Sequence, residues 1–360
     1  MVLHLRGIFL PEENERDAWV VDGRLSFTEP SGGDVETVAD RGWIVPGFVD
    51  AHCHIGLAEG GAHLPDAAEQ AAQARRNRDA GSLLLRDAGS PVDNRAVQQA
   101  DDLPRLIRAG RHIARPKRYI RDLGVEVEPA ELVTEVERQA ARGDGWVKIV
   151  GDWIDRGTGD LAPLWPDAEL RRAIARAHEL GARVASHVFG EDALPGLIAA
   201  GVDSIEHGTG LTDDLIAQAK QAGAVVVPTL INVDNFPSIG LSGEAKFPTY
   251  AAHMRALFAT SRDRIHNAWE AGIPIFTGTD AGGSLPHGLI RDEIRALVGA
   301  GIAQPDVIAQ ASWLGRAWLG LRGLEEGADA DLIVFADDPR RTLSALYGPR
   351  RVVLRGRVLE

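Results

Sequence analysis

Two histidines one residue apart, His52 and His54, close the run Val45-Pro46-Gly47-Phe48-Val49-Asp50-Ala51. Such an apolar, partly β-branched run is strand-forming, and side chains along a strand alternate between its two faces. Both imidazoles therefore project one way and Cys53 the other. Two imidazoles side by side at a strand end make half of a metal-binding site. Four further residues offer the rest. Lys148 lies inside Trp146-Val147-Lys148-Ile149-Val150, where an ammonium among apolar residues is expensive to bury unless it is modified or ligating. His187 ends Val184-Ala185-Ser186-His187, His207 follows Ser204-Ile205-Glu206, and Asp280 follows Phe276-Thr277-Gly278-Thr279.

The elements that must position these residues form a series. Strand-like stretches at 48–53, 82–86, 105–113, 146–150, 183–187, 204–206, 224–229 and 274–279 alternate with amphipathic stretches such as 67–79, 129–142, 167–180, 212–221 and 250–271. The second group shows apolar residues at helical spacing, and glycine often closes it, as at Gly81 and Gly223. The series predicts an α/β fold, a (β/α)8 TIM barrel over residues 47–321, close to the usual size of about 250 residues. An open doubly wound sheet fits less well, because no glycine-rich phosphate loop follows the first strand. A barrel enzyme carries its chemistry at the C-terminal ends of its strands, and the six residues fall in or at the ends of such strands. His4, His63, His178, His253 and His266 fall in helices, loops or the terminal segments, and His112 in the basic loop segment at the end of the 105–113 stretch. The chain ends read as short strands with turns at Asp22-Gly23 and Arg355-Gly356. Neither end can bury a sheet face alone, so residues 1–46 and 322–360 are expected to pair into one small β-sandwich domain.

The 360 residues suffice for a large core, and 44% hydrophobic with 25% charged residues is a globular composition. A net charge of −13 argues against nucleic acid and anionic membrane as partners. No apolar run approaches the roughly 20 residues that span a bilayer. Met1-Val2-Leu3-His4-Leu5-Arg6 does not resemble a secretory signal. Cys53 is the single cysteine, so no internal disulfide forms, which fits a reducing cytoplasm. Enzymes of this size are often symmetric homo-oligomers.

The ordered set Pro46-Gly47-Phe48-Val49-Asp50-Ala51-His52-Cys53-His54, Val147-Lys148-Ile149, Ser204-Ile205-Glu206-His207-Gly208, Gly278-Thr279-Asp280-Ala281-Gly282 and Gly327-Ala328-Asp329-Ala330-Asp331-Leu332-Ile333-Val334 resembles the amidohydrolase superfamily over nearly the whole chain. It looks most like the branch of metal-dependent Xaa-Pro dipeptidases and acyl-amino-acid hydrolases. The resemblance implies a binuclear centre: His52, His54 and Asp280 on one metal, His187 and His207 on the other, and Lys148, carboxylated to an anionic carbamate, bridging them. Zinc is the first choice for such donors, with other divalent metals also compatible. The implied reaction is cleavage of an amide or cyclic amide C–N bond by metal-activated hydroxide, with Asp280 as general base and then acid.

Specificity is expected from the loops. The basic stretch Arg111-His112-Ile113-Ala114-Arg115-Pro116-Lys117-Arg118-Tyr119-Ile120-Arg121 suggests a clamp for a carboxylate-bearing small molecule, with Arg115 and Tyr119 as its contacts. Dipeptidase-like relatives carry Gly-Gly-His in this loop and this chain does not. Trp153 is a candidate wall for a cyclic or aromatic substrate, and His287 a candidate contact. Three other uses of the same residues stand beside hydrolysis: a dehydrative ring closure, a mononuclear deaminase, and an inactive binding module.

Overall fold

The computed structural model describes residues 1–348 and 350–359 of a mixed α/β chain. Phe48–Cys53 pairs in parallel with Ser82–Asp87, and that strand with Arg105–Arg108. A second parallel sheet has the order Val125–Glu126, Ile113–Ala114, Trp146–Val150, Arg183–Val188, Ser204–His207 and Val225–Val227. Helices Ala67–Ala80, Leu132–Ala140, Asp167–Glu179, Leu194–Ala200 and Asp213–Ala222 make the crossovers that parallel pairing requires. Strands 48–53, 82–87 and 146–150 are buried at every position. Burial on both faces is why they read as nearly unbroken apolar runs, and why the charged exceptions stand out.

The Ala67–Ala80 helix illustrates how the scaffold serves the loops above it. Asp66 caps it by accepting from the Ala68 amide at 2.6 Å, and Gly81 ends it at φ 103°, a left-handed turn that side-chain-bearing residues resist. Its buried face holds Gln70, Gln73, Ala74 and Asn77. The amides are buried because they bind backbone: Gln73 accepts from the Gly56 amide and donates to the Leu57 carbonyl, both at 2.8 Å. Cys53 packs into an apolar cluster with Ala74 of this helix, on the helical side as the pleat predicts.

Two of the expected strands are interrupted. The 105–113 stretch breaks at Gly110, φ 72°, into 105–108 and 113–114. The 274–279 stretch forms no regular strand. It makes one bridge, to Val226 through Ile275, and just beyond it Ala281 bridges to Cys53. Side chains replace part of its ladder: Thr277 Oγ1 donates to the Val49 carbonyl at 2.8 Å, and Asp50 accepts from the Thr279 amide and hydroxyl at 3.0 and 2.6 Å. These bonds turn the chain so that Asp280 adopts φ 55°.

The two chain ends share one mixed sheet of eight strands. Leu332–Phe335 lies antiparallel to Trp43–Pro46, with Leu332 opposite Pro46 and Phe335 opposite Trp43. Leu5, Phe9, Val20, Ile44, Leu332 and Val353 form its core. The predicted turns are present: Asp22 and Gly23 adopt φ 50° and 78°, Arg355 and Gly356 φ 49° and 75°. Among the described residues no helix is long and apolar enough to cross a membrane.

Helix Pro248–Glu270 is clamped onto the loops by His253, whose Nδ1 and Nε2 each lie 3.0 Å from a carboxylate, of Asp160 and Glu191 respectively. The hydrogen bond to Glu191, with Asp160 adding to it, raises His253 to about 9. A folded-state pKa above the usual imidazole value means stability that is full below about 6.5 and is lost as pH rises through about 9. Melting temperature should therefore fall across that window. His253→Gln should flatten the fall, an effect of about 2 °C or less for a half-exposed group in a chain of this size. Thermal melts at pH 6, 8 and 10 check it.

Candidate metal centre

Six side chains singled out by type and strand position converge. His52, His54, Lys148, His187, His207 and Asp280 all line one cavity of about 340 Å³. Asp280 Oδ1 lies 2.9 Å from His54 Nε2 and 3.3 Å from His52 Nε2. Across the cavity floor, His187 Nδ1 and His207 Nε2 face each other at 3.0 Å.

Each imidazole has its other nitrogen turned outward. His54 Nδ1 donates to the Gly89 carbonyl at 2.7 Å, and His207 Nδ1 meets Thr229 Oγ1 at 2.8 Å. His52 Nδ1 is 2.6 Å from Glu206 Oε2, an ionic contact whose N–H direction is not aligned as in a hydrogen bond. His187 Nε2 has no hydrogen-bond partner among the described residues and points toward Asp152, 3.8 Å away. Outer partners of this kind set which nitrogen of a histidine remains free to ligate. His52, His54 and Asp280 offer two imidazole nitrogens and a carboxylate oxygen within 4.8 Å of one another, a group that fits a divalent cation. Three site residues adopt left-handed backbone, His207 at φ 67°, Thr229 at φ 48° and Asp280 at φ 55°, conformations that bulky residues hold only when the surroundings impose them.

The electrostatics of His187, His207 and Asp280 agree with ligation; at His54 burial lowers the imidazole but the adjacent Asp280 carboxylate outweighs it and raises it. Burial, reinforced by His207 beside it, holds His187 well below the ordinary imidazole range, and burial pushes His207 down to about 3. Both are neutral, the form that donates a lone pair. Burial raises the Asp280 carboxyl, but His52, His54 and His207 outweigh it and keep Asp280 well below the usual carboxylate range. Lys148 is buried, and its Nζ has no partner among the described residues. Burial pushes it down to about 8.

Several residues that strand position did not single out support the site. Arg86, fully buried, donates through Nη2 to both Glu206 oxygens at 2.7 and 2.9 Å and through Nε to the Ala51 carbonyl at 2.6 Å. Asn232 donates to Asp280 Oδ2 at 2.7 Å. Glu293 accepts from the Leu230 and Ile231 amides at 2.9 and 3.0 Å, anchoring the turn that carries Asn232. A charged residue within the strand-like Ser204-Ile205-Glu206 was the signal available for Glu206; the loop after residue 227 offered none for Asn232. His112, set apart by its position in the sequence, packs with its ring 5.1 Å from His54. A Cβ on Gly89 would lie 2.7 Å from its Nδ1, so glycine at 89 makes room for it.

The four expected substrate contacts divide evenly. Tyr119 and Trp153 line the cavity, their rings 4.8 Å apart. Arg115 and His287 do not. Arg115 meets Glu128 at 3.4 Å. His287 is buried against Asn77 at 3.1 Å, with burial pushing it down to about 3. The basic cluster is engaged with its own surroundings. Arg118 pairs with Asp155 at 2.7 Å and donates to the Trp153 and Ala162 carbonyls at 3.1 Å, and Arg111 donates to the Asp122 carbonyl at 3.1 Å.

Known proteins resemble this chain in sequence and in fold. An uncharacterized protein of Mycobacterium tuberculosis is 55% identical over 356 residues, 99% of this chain and 95% of its own length. Ochratoxinase of Aspergillus niger is 26% identical over 235 residues, 62% of this chain and 48% of the enzyme. The crystal structure of a Xaa-Pro dipeptidase with bound methionine superposes with a TM-score of 0.83 at 22% identity, covering 100% of both chains. The sequence profile of the Amidohydrolase family matches residues 43–359. With that match spanning the donor residues and nearly the whole length, the chain belongs to the Amidohydrolase family.

Proposed function

We propose that this protein is an enzyme that hydrolyses a C–N bond of amide type in a small molecule, using two divalent cations, zinc by preference. His52, His54 and Asp280 would hold one, His187 and His207 the other, and Lys148 as a carbamate would serve both. The observation that carries this reading is the orientation of four imidazoles, each with one nitrogen directed at the cavity and the other turned outward. Bound cations supply an acidified water and polarise a carbonyl. The chain's own residues do the rest. Asp280, ionised at neutral pH, accepts the proton of the attacking water and returns it to the departing nitrogen, so that amide and water become acid and amine. Arg86 and Glu206 hold His52, while Thr229 and Asn232 hold His207 and Asp280 in their strained positions.

The scaffold of this reading is a closed barrel over residues 47–321, with 1–46 and 322–360 as a separate composite unit. In its support, segment 274–281 bonds on one side to the 225–227 strand and on the other to 48–53: the Val226 amide donates to the Pro274 carbonyl at 3.0 Å, and the Ala51 amide to the Thr277 carbonyl at 2.8 Å.

Lys148 provides the test. Its buried, partnerless amine becomes an anion on adding carbon dioxide and losing a proton. Wild-type protein prepared with labelled bicarbonate should show a carbamate carbon resonance and bind about two metals per chain, as a two-cation site requires. Lys148→Ala should lack the resonance and bind about one metal or none. An unchanged metal content in the variant would overturn the assignment.

A further inference from the structure

We propose that the substrate is an electrically neutral amide bearing an aromatic ring, not a dipeptide or acyl amino acid with a free carboxylate. The proposal rests on the hydrolase reading of the same cavity and concerns what fills the space beyond the donors. Tyr119, Trp153, Phe189, Tyr250, Leu123 and Ile239 wall that space. Among the described residues no arginine lines it, and its one lysine is Lys148 in the floor. The nearby cations are engaged elsewhere, Arg118 with Asp155, Arg115 with Glu128 and Arg111 with loop carbonyls.

A carboxylate placed against these walls would lose its water and gain no counter-charge, a cost of several kcal/mol for a buried ion. The residues that would hold a cation, His52, His54 and Asp280, are separate from the aromatic and aliphatic walls, which carry no charge of their own. The walls are rich in aromatic groups. Trp153 lies edge-on to Tyr119 at 4.8 Å, and Phe189 packs edge-on to Phe236 at 4.5 Å. Edge-to-face and offset contacts of this kind favour an aromatic partner over an aliphatic one. A cavity of about 340 Å³ suits a ring with a short acyl or amine substituent.

Two measurements test this. Metal-loaded protein is assayed with acetanilide and with 4-acetamidobenzoate, which differ by one carboxylate. The expected result is a kcat/KM about 100-fold higher for the neutral amide, or about 2.7 kcal/mol in the barrier. Separately, benzamide and benzoate are titrated into metal-free protein by calorimetry. Benzamide is expected to bind at least tenfold more tightly, with Trp153→Ala weakening benzamide binding about tenfold through the lost ring contact and Trp153→Phe retaining most of it. Equal or tighter binding of benzoate, or binding of neither, overturns the proposal whatever the hydrolysis assay gives. A clear benzamide preference with no cleavage of any amide would leave the neutral cavity standing and sink the hydrolase reading instead. Faster cleavage of 4-acetamidobenzoate would do the reverse.

Discussion

Asp280→Asn should lower kcat by about 10²- to 10⁴-fold, the range that a positioned general acid–base group supplies, with KM changing little. The asymmetry follows from how the carboxylate is held. Oδ2 is tied to Asn232 at 2.7 Å, and Oδ1 faces the cavity between His52 and His54. Asparagine keeps the shape and removes the base, so the loss falls on proton transfer and spares substrate contact. Steady-state kinetics combined with metal analysis separates this from loss of a ligand. A variant that retains its metal and loses kcat places Asp280 in proton transfer. One that retains both metal and activity within tenfold of wild type removes it from the mechanism.

Glu206→Ala should destabilise the fold by about 3–5 kcal/mol, the usual cost of removing one partner of a buried ion pair. Both Arg86 and Glu206 are fully buried. Burial raises the Glu206 carboxyl, and Arg86, Lys148 and His52 more than offset this, holding it well below the ordinary range. Without Glu206, the Arg86 guanidinium stays against the rings of Trp146 and Trp318, 4.5 and 5.0 Å from their centroids, with its charge uncompensated. A double variant, Arg86→Met with Glu206→Leu, should recover most of the loss because no unpaired charge remains. Urea denaturation of the two single variants and the double variant closes the cycle. A Glu206→Ala cost below about 1 kcal/mol, the level of an exposed pair, would mean that the pair is not what secures the floor of the site.

Donors at strand ends were legible because alternation along a strand and burial on both faces constrain which residue types survive there. His52, His54, His187, His207 and Asp280 are conspicuous among apolar neighbours, and Lys148 more so. Loop paths are not constrained by any periodicity. Arg115 and His287 therefore looked like substrate contacts by charge and type alone, whereas their partners, Glu128 and Asn77, are set by folding of the loops. His112 was missed for a related reason. The stretch carrying it breaks at Gly110, and the chain after that turn brings the ring back beside His54. The strand expected at 274–279 dissolved into bridges because Asp50, Thr277 and Thr279 supply side-chain bonds that composition does not announce.

The left-handed backbone at His207, Thr229 and Asp280 has an evolutionary corollary. Glycine at Thr229 would relax the main chain at the expense of the hydroxyl that steadies His207. On the proposed function, selection for heat tolerance and selection for turnover would therefore pull in opposite directions at this position.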